Sequence, residues 1–334
     1  MISEEEIKNI DKEDMLGSIS TLQRQVNGGL KLASEIRVPD EVDDIIVAGM
    51  GGSALPGEVL KSLLIDSKIR ITVCKDYKLP AWADKKTLVF VISYSGNTEE
   101  TIASYRDALK KNCQVIAIAS GGKLQQLARK QETPFIKVPR PFDEFQPRAA
   151  IGYLFFSMLG VLIKSRLIPD MANDIAKTEK AIQPEKYMDK AKDLAEQLAS
   201  KVPLIYTSEK LAAAGYKWKI AFNENTKLHA FCNVYPEMNH NEMNAFDNLE
   251  ADFHVVMLSN DDDHPQVRKR MKITKELYQK RSVPVTELAM KGDSLLAKLF
   301  TAILIGDLVA FFLAVKYRID PTPVNMVEDL KKQL

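Results

Sequence analysis

Residues 88–101 read LVFVISYSGNTEET, and residues 45–53 read IIVAGMGGS. In both stretches an apolar, β-branched run leads into a turn of small residues and then into a helical pattern. Because the carboxyl ends of parallel strands meet at one edge of a sheet, we expect the two turns to face one crevice. Hydroxyl groups and backbone amides at the start of a helix suit a dianionic phosphate without a metal. The two stretches therefore predict a site for a phosphorylated small molecule.

The alternation of strand and helix extends through the first half of the chain. Apolar strand-like runs, separated by helical patterns, lie at 44–48, 69–74, 88–94, 114–119 and 134–138. Strands this uniformly apolar are typical of a parallel sheet covered on both faces. Right-handed crossovers make such a sheet doubly wound, of the flavodoxin or Rossmann type.

The alternation resumes in the second half, after a polar stretch that follows residue 169. Strand-like runs lie at 202–208, 253–259 and 283–288, and a helix that contains residues 217–225 follows the first of them. The pattern predicts an α/β protein of two tandem doubly wound parallel-sheet domains, residues 1–165 and residues 166–334.

Composition and charge argue against several classes of function. A formal net charge of +1 over 334 residues gives no electrostatic reason to expect nucleic acid or an anionic membrane as a partner. Segment 299–315 is short for a membrane span and contains Asp307, so we expect a buried helix. The three cysteines are widely spaced and predict neither a disulfide framework nor a zinc site. The first residues lack the basic and apolar regions of a signal peptide, and we expect a cytoplasmic protein.

The second turn concentrates hydroxyl groups. Ser93, Ser95 and Thr98 can direct three hydroxyls at one anion, Gly96 permits an unusual backbone angle, and Thr98 is a candidate helix cap. An ordinary serine- and threonine-rich connection between a strand and a helix would show the same residues. The presence of two such turns in adjacent crossovers favours the phosphate site.

The first turn also permits a different interpretation. Residues 49–54 satisfy the G-x-G-x-x-A variant of the dinucleotide-binding motif, and Asp76 follows the next strand, where an acid that binds ribose is expected. This pattern would indicate a nicotinamide-dependent oxidoreductase. Against it, the third strand ends in its own phosphate-type turn, and Ser53 adds a hydroxyl that dinucleotide sites do not require.

A third candidate is the proline-rich loop 139–149, which ends in Arg148 at the start of an apolar helix. A cation at a helix N-terminus opposes the helix macrodipole. Arg148 is therefore a candidate for stabilising negative charge on a substrate. The alternative is a surface arginine paired with Asp143 or Glu144.

A fourth candidate joins the segments NEN at 223–225 and NHNE at 239–242. Asparagines on both sides of Glu224 and of His240 can orient the acid and the imidazole by hydrogen bonds, as acid–base catalysis requires. Alternatively, the asparagines only end a helix and form turns. A metal site that includes His240 is not expected, because no second histidine stands at ligand spacing.

Together these motifs resemble the bifunctional phosphoglucose/phosphomannose isomerase family. The resemblance rests on motifs that occur in order along the chain: GMGGS at 49–53, SYSGNTEET at 93–101, PR at 147–148, NEN at 223–225 and NHNE at 239–242. It implies two tandem sugar-isomerase domains and a homodimer with active sites shared between subunits. It also implies hexose 6-phosphate substrates.

The resemblance further implies roles for individual residues. The residues that would hold the sugar phosphate are Gly51, Gly52, Ser53, Ser93, Ser95 and Thr98. Glu224 would move a proton between C1 and C2, His240 from the neighbouring subunit would help to open the ring, and Arg148 would stabilise the enediolate. Lys331 resembles the C-terminal active-site lysine of the family, and Thr322 matches a threonine associated with the use of mannose 6-phosphate.

The chemistry of the residues agrees with an aldose–ketose isomerase. Such a reaction needs a carboxylate that removes a proton from carbon and returns it to the adjacent carbon, and a fixed cation for the enediolate. We therefore expect neither a metal nor another cofactor. The alternative of a sugar-phosphate sensor without catalytic activity would not need Glu224, His240 and Arg148 together.

Overall fold

The computed structural model describes residues 2–38 and 41–333. Contacts group the chain into two compact units. We call Thr21–Lys180 the central unit, and Met1–Ser20 together with Ala181–Leu334 the terminal unit. The grouping places the start of the chain with the terminal unit. The boundary predicted from the sequence, between a domain of residues 1–165 and a domain of residues 166–334, stays a prediction.

The central unit contains a five-stranded sheet in which all paired strands are parallel. Its strands are β1 (Asp44–Ala48), β2 (Arg70–Cys74), β3 (Thr87–Ile92), β4 (Gln114–Ala119) and β5 (Phe135–Lys137). Its helices are α3 (Leu22–Leu32), α4 (Leu55–Leu63), α5 (Glu99–Lys110), α6 (Gly122–Lys130), α7 (Ile151–Lys164) and α8 (Ala172–Ala181). The strand order β2-β1-β3-β4-β5 is the flavodoxin-like order, which confirms the predicted fold class.

The terminal unit contains a four-stranded parallel sheet of order β7-β6-β8-β9. Its strands are β6 (Val202–Ser208), β7 (Phe231–Tyr235), β8 (Phe253–Asn260) and β9 (Val285–Met290). Its helices are α1 (Glu4–Ile10), α2 (Met15–Ser20), α9 (Met188–Leu198), α10 (Ala212–Ala221), α11 (Pro265–Lys280), α12 (Leu295–Lys316) and α13 (Asn325–Lys331). The four strands follow the same order as the first four strands of the central sheet, so both units share one plan.

Strand β7 is a difference from the sequence prediction, which gave no strand between residues 208 and 253. The strand reads FCNVY, lies at the sheet edge, and has one fully buried position at its end. A short edge strand with a polar residue at its centre lacks the continuous apolar run by which the other strands were predicted.

The two central strands of the first sheet form a rigid base for the site. All residues of β1 and β3 are buried, because helices cover both faces of the sheet. Burying one aliphatic side chain contributes about 1.5–3 kcal/mol. The carboxyl ends of β1 and β3 are therefore held in a fixed relation to each other.

Helix α12 is the apolar segment that raised the question of a membrane span. Within the described residues it is the one helix long and apolar enough for a span, with a mean hydropathy of 2.1 over its best window, and 94% of that window is buried inside the protein. The prediction of a buried helix is confirmed. Gly306 in its middle leaves room for the ring of Trp218, because a Cβ there would lie 2.4 Å from the ring.

Candidate active site

The two predicted turns lie side by side in the central unit, at the point where the strand order reverses. Strands β1 and β3 are paired, and the turns 49–53 and 93–98 follow their carboxyl ends. The amide of Tyr94 donates a hydrogen bond of 3.1 Å to the Ser53 hydroxyl, which links the two turns directly. In open α/β sheets this position is the usual place for a ligand.

Within the second turn, the hydroxyls bind one another and the backbone. Ser93 Oγ and Thr98 Oγ1 are 2.9 Å apart, and Ser93 Oγ also accepts a bond of 3.1 Å from the amide of Gly96. Thr98 stands at the N-cap position of α5, but within the described residues its side chain makes no cap hydrogen bond. The predicted role of that side chain as a helix cap is therefore wrong, because its hydroxyl binds Ser93 instead. Ser93 is buried, whereas Ser95 is exposed at the mouth of the turn.

Both turns require glycine at one position. Gly96 has a φ of +71°, and a Cβ on it would lie 1.9 Å from the carbonyl oxygen of Gly121. Gly51 has a φ of +50°, which side chains also disfavour. The close approach at Gly96 brings the turn against the start of α6.

Arg148 lies beside the first turn of the central unit. It belongs to a 3-10 turn, Pro147–Ala149, that precedes α7, and it is partly buried. A Cβ on Gly52 would lie 3.7 Å from the Cα of Arg148, so the glycine turn passes close to the arginine backbone. The central unit therefore brings together the phosphate-turn residues and the candidate cation.

Glu224 lies in the terminal unit, on a π-helical turn, Phe222–Thr226, that continues α10. Turns of this kind occur frequently at functional sites. The hydroxyl of Thr226 donates to the carbonyl oxygen of Phe222 at 2.5 Å, and Asn223 donates to the carbonyl oxygen of Leu228 at 2.8 Å. These bonds hold the turn in shape around the glutamate.

Helix α10 is fixed in place by buried polar contacts with α12. Lys217 forms an ion pair with Asp307, and both side chains are less than 10% exposed. The indole of Trp218 donates a hydrogen bond of 2.7 Å to the carbonyl oxygen of Ala302. Removing one partner of a buried ion pair typically costs about 3–5 kcal/mol. The helix that leads into the Glu224 turn is thus firmly anchored.

His240 is exposed at the end of a 3-10 turn, Glu237–His240. The side chain of Asn239 donates to Thr274 Oγ1 at 2.9 Å, and that of Asn241 donates to a Glu237 carboxylate oxygen at 2.8 Å. These bonds anchor the loop that carries His240. They correct the expectation that the two asparagines bind the imidazole.

A hydrogen-bond network around Glu242 was not predicted. The buried Tyr206 hydroxyl donates to one carboxylate oxygen of Glu242 at 2.7 Å, and the amide of Asn233 donates to the other. Burial, and then the negative charge of Glu242, raise the pKa of Tyr206. Tyr206 lies on β6, 36 positions before Glu242, and no local motif connects the two. Asn233 lies only nine positions before Glu242, but on β7, a strand that the sequence did not predict.

The two C-terminal candidates lie in different surroundings. Lys331 is exposed on α13, where its ammonium pairs with Glu328 at 2.8 Å. Thr322 is buried, and its amide donates to Asp320 Oδ1 at 2.9 Å. The terminal unit therefore contains Glu224, His240 and Lys331, and each stands on a different element.

The groups that could bind a metal are dispersed. Across residues 2–38 and 41–333, no group of three or more histidine, cysteine, aspartate or glutamate side chains is placed to hold a metal ion. Cys74 and Cys113 are buried. Burial raises the pKa of the Cys113 thiol to about 11, which makes it unreactive at neutral pH.

Proteins of solved structure share this fold. A hypothetical protein from Thermus thermophilus has a TM-score of 0.72, covers 99% of this chain and 90% of its own, and is 14% identical. A glucosamine-6-phosphate deaminase from Thermotoga maritima has a TM-score of 0.70, covers 93% of this chain and 97% of its own, and is 15% identical. The class defined by this fold and by the paired turns is that of α/β proteins with the sugar-isomerase fold.

Sequence relatives define the family. The model of the bacterial phospho-glucose isomerase C-terminal SIS domain matches residues 187–334. The bifunctional phosphoglucose/phosphomannose isomerase of Caldicellulosiruptor bescii is 37% identical in an alignment that covers 96% of this chain and 98% of that protein. The protein of the same name from Thermoplasma acidophilum is 32% identical in an alignment that covers 87% of this chain and 89% of its own. The chain belongs to the bifunctional phosphoglucose/phosphomannose isomerase family, as the sequence motifs predict.

Proposed function

We propose that this protein interconverts glucose 6-phosphate and fructose 6-phosphate, and also mannose 6-phosphate and fructose 6-phosphate, through an enediol intermediate. Family membership over nearly the whole chain supports this activity. The structural observation that carries it is the pair of linked turns at the strand-order reversal of the central sheet.

In this proposal the central unit binds the phosphate group. The amides and hydroxyls of residues 51–53 and 93–98 lie at the carboxyl ends of the paired strands β1 and β3, and the second turn leads into the 12-residue helix α5. A helix N-terminus adds positive electrostatic potential at that position. The exposed hydroxyl of Ser95 is accessible to a phosphate oxygen there.

Glu224 is the base and Arg148 is the cation of the proposed reaction. The glutamate removes the proton from C2 of the aldose phosphate and returns it to C1, and the hydroxyl proton moves in the same direction, from the oxygen on C2 to the oxygen on C1. The guanidinium of Arg148 stabilises the enediolate charge without losing its own proton. A carboxylate and a guanidinium suffice for both steps, so the proposed mechanism uses no metal and no other cofactor.

We extend the proposal to a homodimer in the cytoplasm, with His240 of the partner subunit completing each active site and opening the sugar ring. The exposure of His240 on its own unit is compatible with contact to a second subunit. Lys331, on the exposed helix α13, is included as a catalytic residue of the same site.

The two alternative functions, a sugar-phosphate sensor and an oxidoreductase, predict different results in an assay. A sensor would bind sugar phosphate without turnover, and a nicotinamide-dependent oxidoreductase would bind the nicotinamide cofactor and change its absorbance during turnover without any coupled enzyme. Neither is favoured, because relatives that match nearly the entire chain are named as isomerases.

The test is a discontinuous assay of the purified protein with each hexose 6-phosphate, in the presence and absence of a chelator. We expect fructose 6-phosphate to be formed from both glucose and mannose 6-phosphate, and the rates to be insensitive to the chelator. Binding without conversion of either sugar would contradict the proposal. Loss of activity that zinc restores would contradict the mechanism.

A further inference from the structure

The residue that follows the Glu224 turn has an unusual set of contacts. The ammonium of Lys227 donates hydrogen bonds to three backbone carbonyl oxygens: that of Glu224 at 2.5 Å, that of Asn225 at 3.4 Å and that of Pro321 at 3.1 Å. Two of these acceptors lie in the π-helical turn, and the third lies 94 positions away in sequence. One side chain therefore joins two segments of the terminal unit.

The backbone of Lys227 is also uncommon. Its φ of 58° places it in the left-handed region, where it ends the π-helical turn. That conformation costs a non-glycine residue about 1–2 kcal/mol. Glycine would avoid the cost but would lack an ammonium group. Seven other described non-glycine residues also have a positive φ, so the contacts of the ammonium, and not the backbone angle, distinguish Lys227.

The ammonium is well matched to its acceptors. The last carbonyl groups of a helical segment have no partner within the helix and carry a partial negative charge. A cation at the helix C-terminus donates hydrogen bonds to these carbonyl groups and offsets their negative charge. Here the same cation also reaches Pro321, next to the buried Thr322, whose segment is in turn held by the bond from its amide to Asp320.

Stability of the fold does not account for this arrangement. Lys227 is an exposed residue. Hydrogen bonds that an exposed ammonium makes to carbonyl groups exchange readily with water, and each contributes little to the free energy of unfolding. Their effect is therefore local: they set the position of the Glu224 turn relative to segment 320–323.

We infer that Lys227 is a positioning residue for the proposed base, because it ties the Glu224 turn to segment 320–323. The inference rests on the proposed function. Glucose and mannose 6-phosphate differ at C2, where Glu224 must remove the proton. A carboxylate that is displaced by about 1 Å can lose about 100-fold in rate. Because the two epimers present the C2 hydrogen differently, a displacement affects them unequally.

The principal test is the variant Lys227→Met, which keeps the length and the apolar stem of the side chain. We expect kcat to fall about 10–100-fold, with KM changed less than the rate. We also expect the ratio of the rates on glucose and mannose 6-phosphate to change about threefold or more. Partial unfolding would lower both rates together and leave this ratio as it is in the wild type.

Two further variants act as controls. Lys210→Met removes a half-buried lysine of the same unit, which donates to the backbone carbonyl of Asp262 at 3.1 Å, and we expect unchanged rates. Lys227→Arg retains a cation and several donors, and we expect it to recover part of the lost rate. An unchanged rate ratio in Lys227→Met, or equal effects of Lys227→Met and Lys210→Met, would overturn the inference.

A measurement without substrate separates this inference from the proposed function. In hydrogen exchange, we expect the amides of segment 222–226 and those of Asp320 and Thr322, the two residues of segment 320–323 that carry an amide hydrogen, to exchange faster in Lys227→Met than in the wild type or in Lys210→Met. Unchanged exchange in either segment would overturn the inference even for an active isomerase. A wild-type protein that converts no hexose 6-phosphate would instead refute the proposed function.

Discussion

The two sheets reverse their strand order at equivalent places, but the residues there differ in kind. In the central unit, β1 and β3 end in glycine- and serine-rich turns. In the terminal unit, β8 ends at Asn260 and is followed by three aspartates, and the ammonium of Lys298 from α12 donates to Asn260, Asp261 and Asp262. Topology therefore provides two crevices, but the residues determine what each can bind.

The terminal crevice already contains its own cation and anions. The Lys298 side chain is 1% exposed, and its partners Asp261 and Asp262 are each 55% exposed. Burial lowers the pKa of Lys298, but the hydrogen bonds and charges of the two aspartates outweigh burial and raise it. A phosphate would be repelled by these carboxylates. This difference supports the proposal that the central unit binds the phosphate and the terminal unit carries the base.

The largest expected effect is a loss of turnover by a variant that still binds the sugar phosphate. In Glu224→Gln we expect kcat to fall about 10²–10⁴-fold, because the amide cannot accept the C2 proton. The dissociation constant for fructose 6-phosphate, measured by calorimetry, should stay near the wild-type value, because the phosphate is bound by the other unit. Near-normal turnover would show that another group is the base.

The next effect tests the central crevice against the terminal one. In Ser95→Ala we expect KM for each hexose 6-phosphate to rise about 10–100-fold, because a hydrogen bond to a charged group contributes about 1.5–3 kcal/mol. The matched control is Ser259→Ala at the end of β8, where the hydroxyl donates to Glu287 at 2.9 Å. A similar rise of KM in both variants would mean that the two crevices are not distinct in function.

A third prediction concerns stability instead of binding. Lys298→Met removes the charged hydrogen bonds of the terminal crevice while filling the same volume. We expect the free energy of unfolding to fall by about 2 kcal/mol in denaturant titrations, a modest loss because water can reach the half-exposed aspartates. KM for the sugar phosphates should not change. A large rise in KM would indicate that the phosphate binds in the terminal unit, contrary to the proposal.

The smallest expected effect is a difference in acid sensitivity. The four histidines all lie in the terminal unit, at His229, His240, His254 and His264. Burial lowers the pKa of His254, so the unfolded chain binds a proton more readily than the folded one. Stability should therefore fall as the pH falls below about 6.5, the ordinary histidine value.

Denaturant titrations at about pH 7.5 and about pH 5.5, on either side of the ordinary histidine pKa, check that the free energy of unfolding falls with pH. In His254→Gln, the loss of stability between the two pH values should be smaller than in the wild type. An equal loss in both proteins would assign the acid sensitivity to other groups.

The fold was largely predictable, because its strands are regular in composition. The continuous apolar runs of β1 and β3 are visible in the sequence, and their carboxyl ends carry the motif residues. Strand β7 was not predictable in this way, since a half-exposed edge strand with Asn233 at its centre has no apolar run. The helices of the first 32 residues were not predicted either.

The candidate site was predictable in residue types but not in contacts. Ser93 and Thr98 were identified as a pair of turn residues, but their mutual hydrogen bond depends on how the turn folds back. The contacts of Lys227 with Pro321 and of Lys298 with Asp261 join residues far apart in sequence. Such pairs leave no local pattern, and only the folded chain reveals them.

The most direct test of the separate roles proposed for the two units is a crystal structure with fructose 6-phosphate bound. We predict the phosphate within hydrogen-bond distance of Ser53 and Ser95, and the Glu224 carboxylate about 3 Å from C1 or C2 of the sugar. A phosphate bound beside Lys298, or a Glu224 carboxylate directed away from both carbons, would contradict this account.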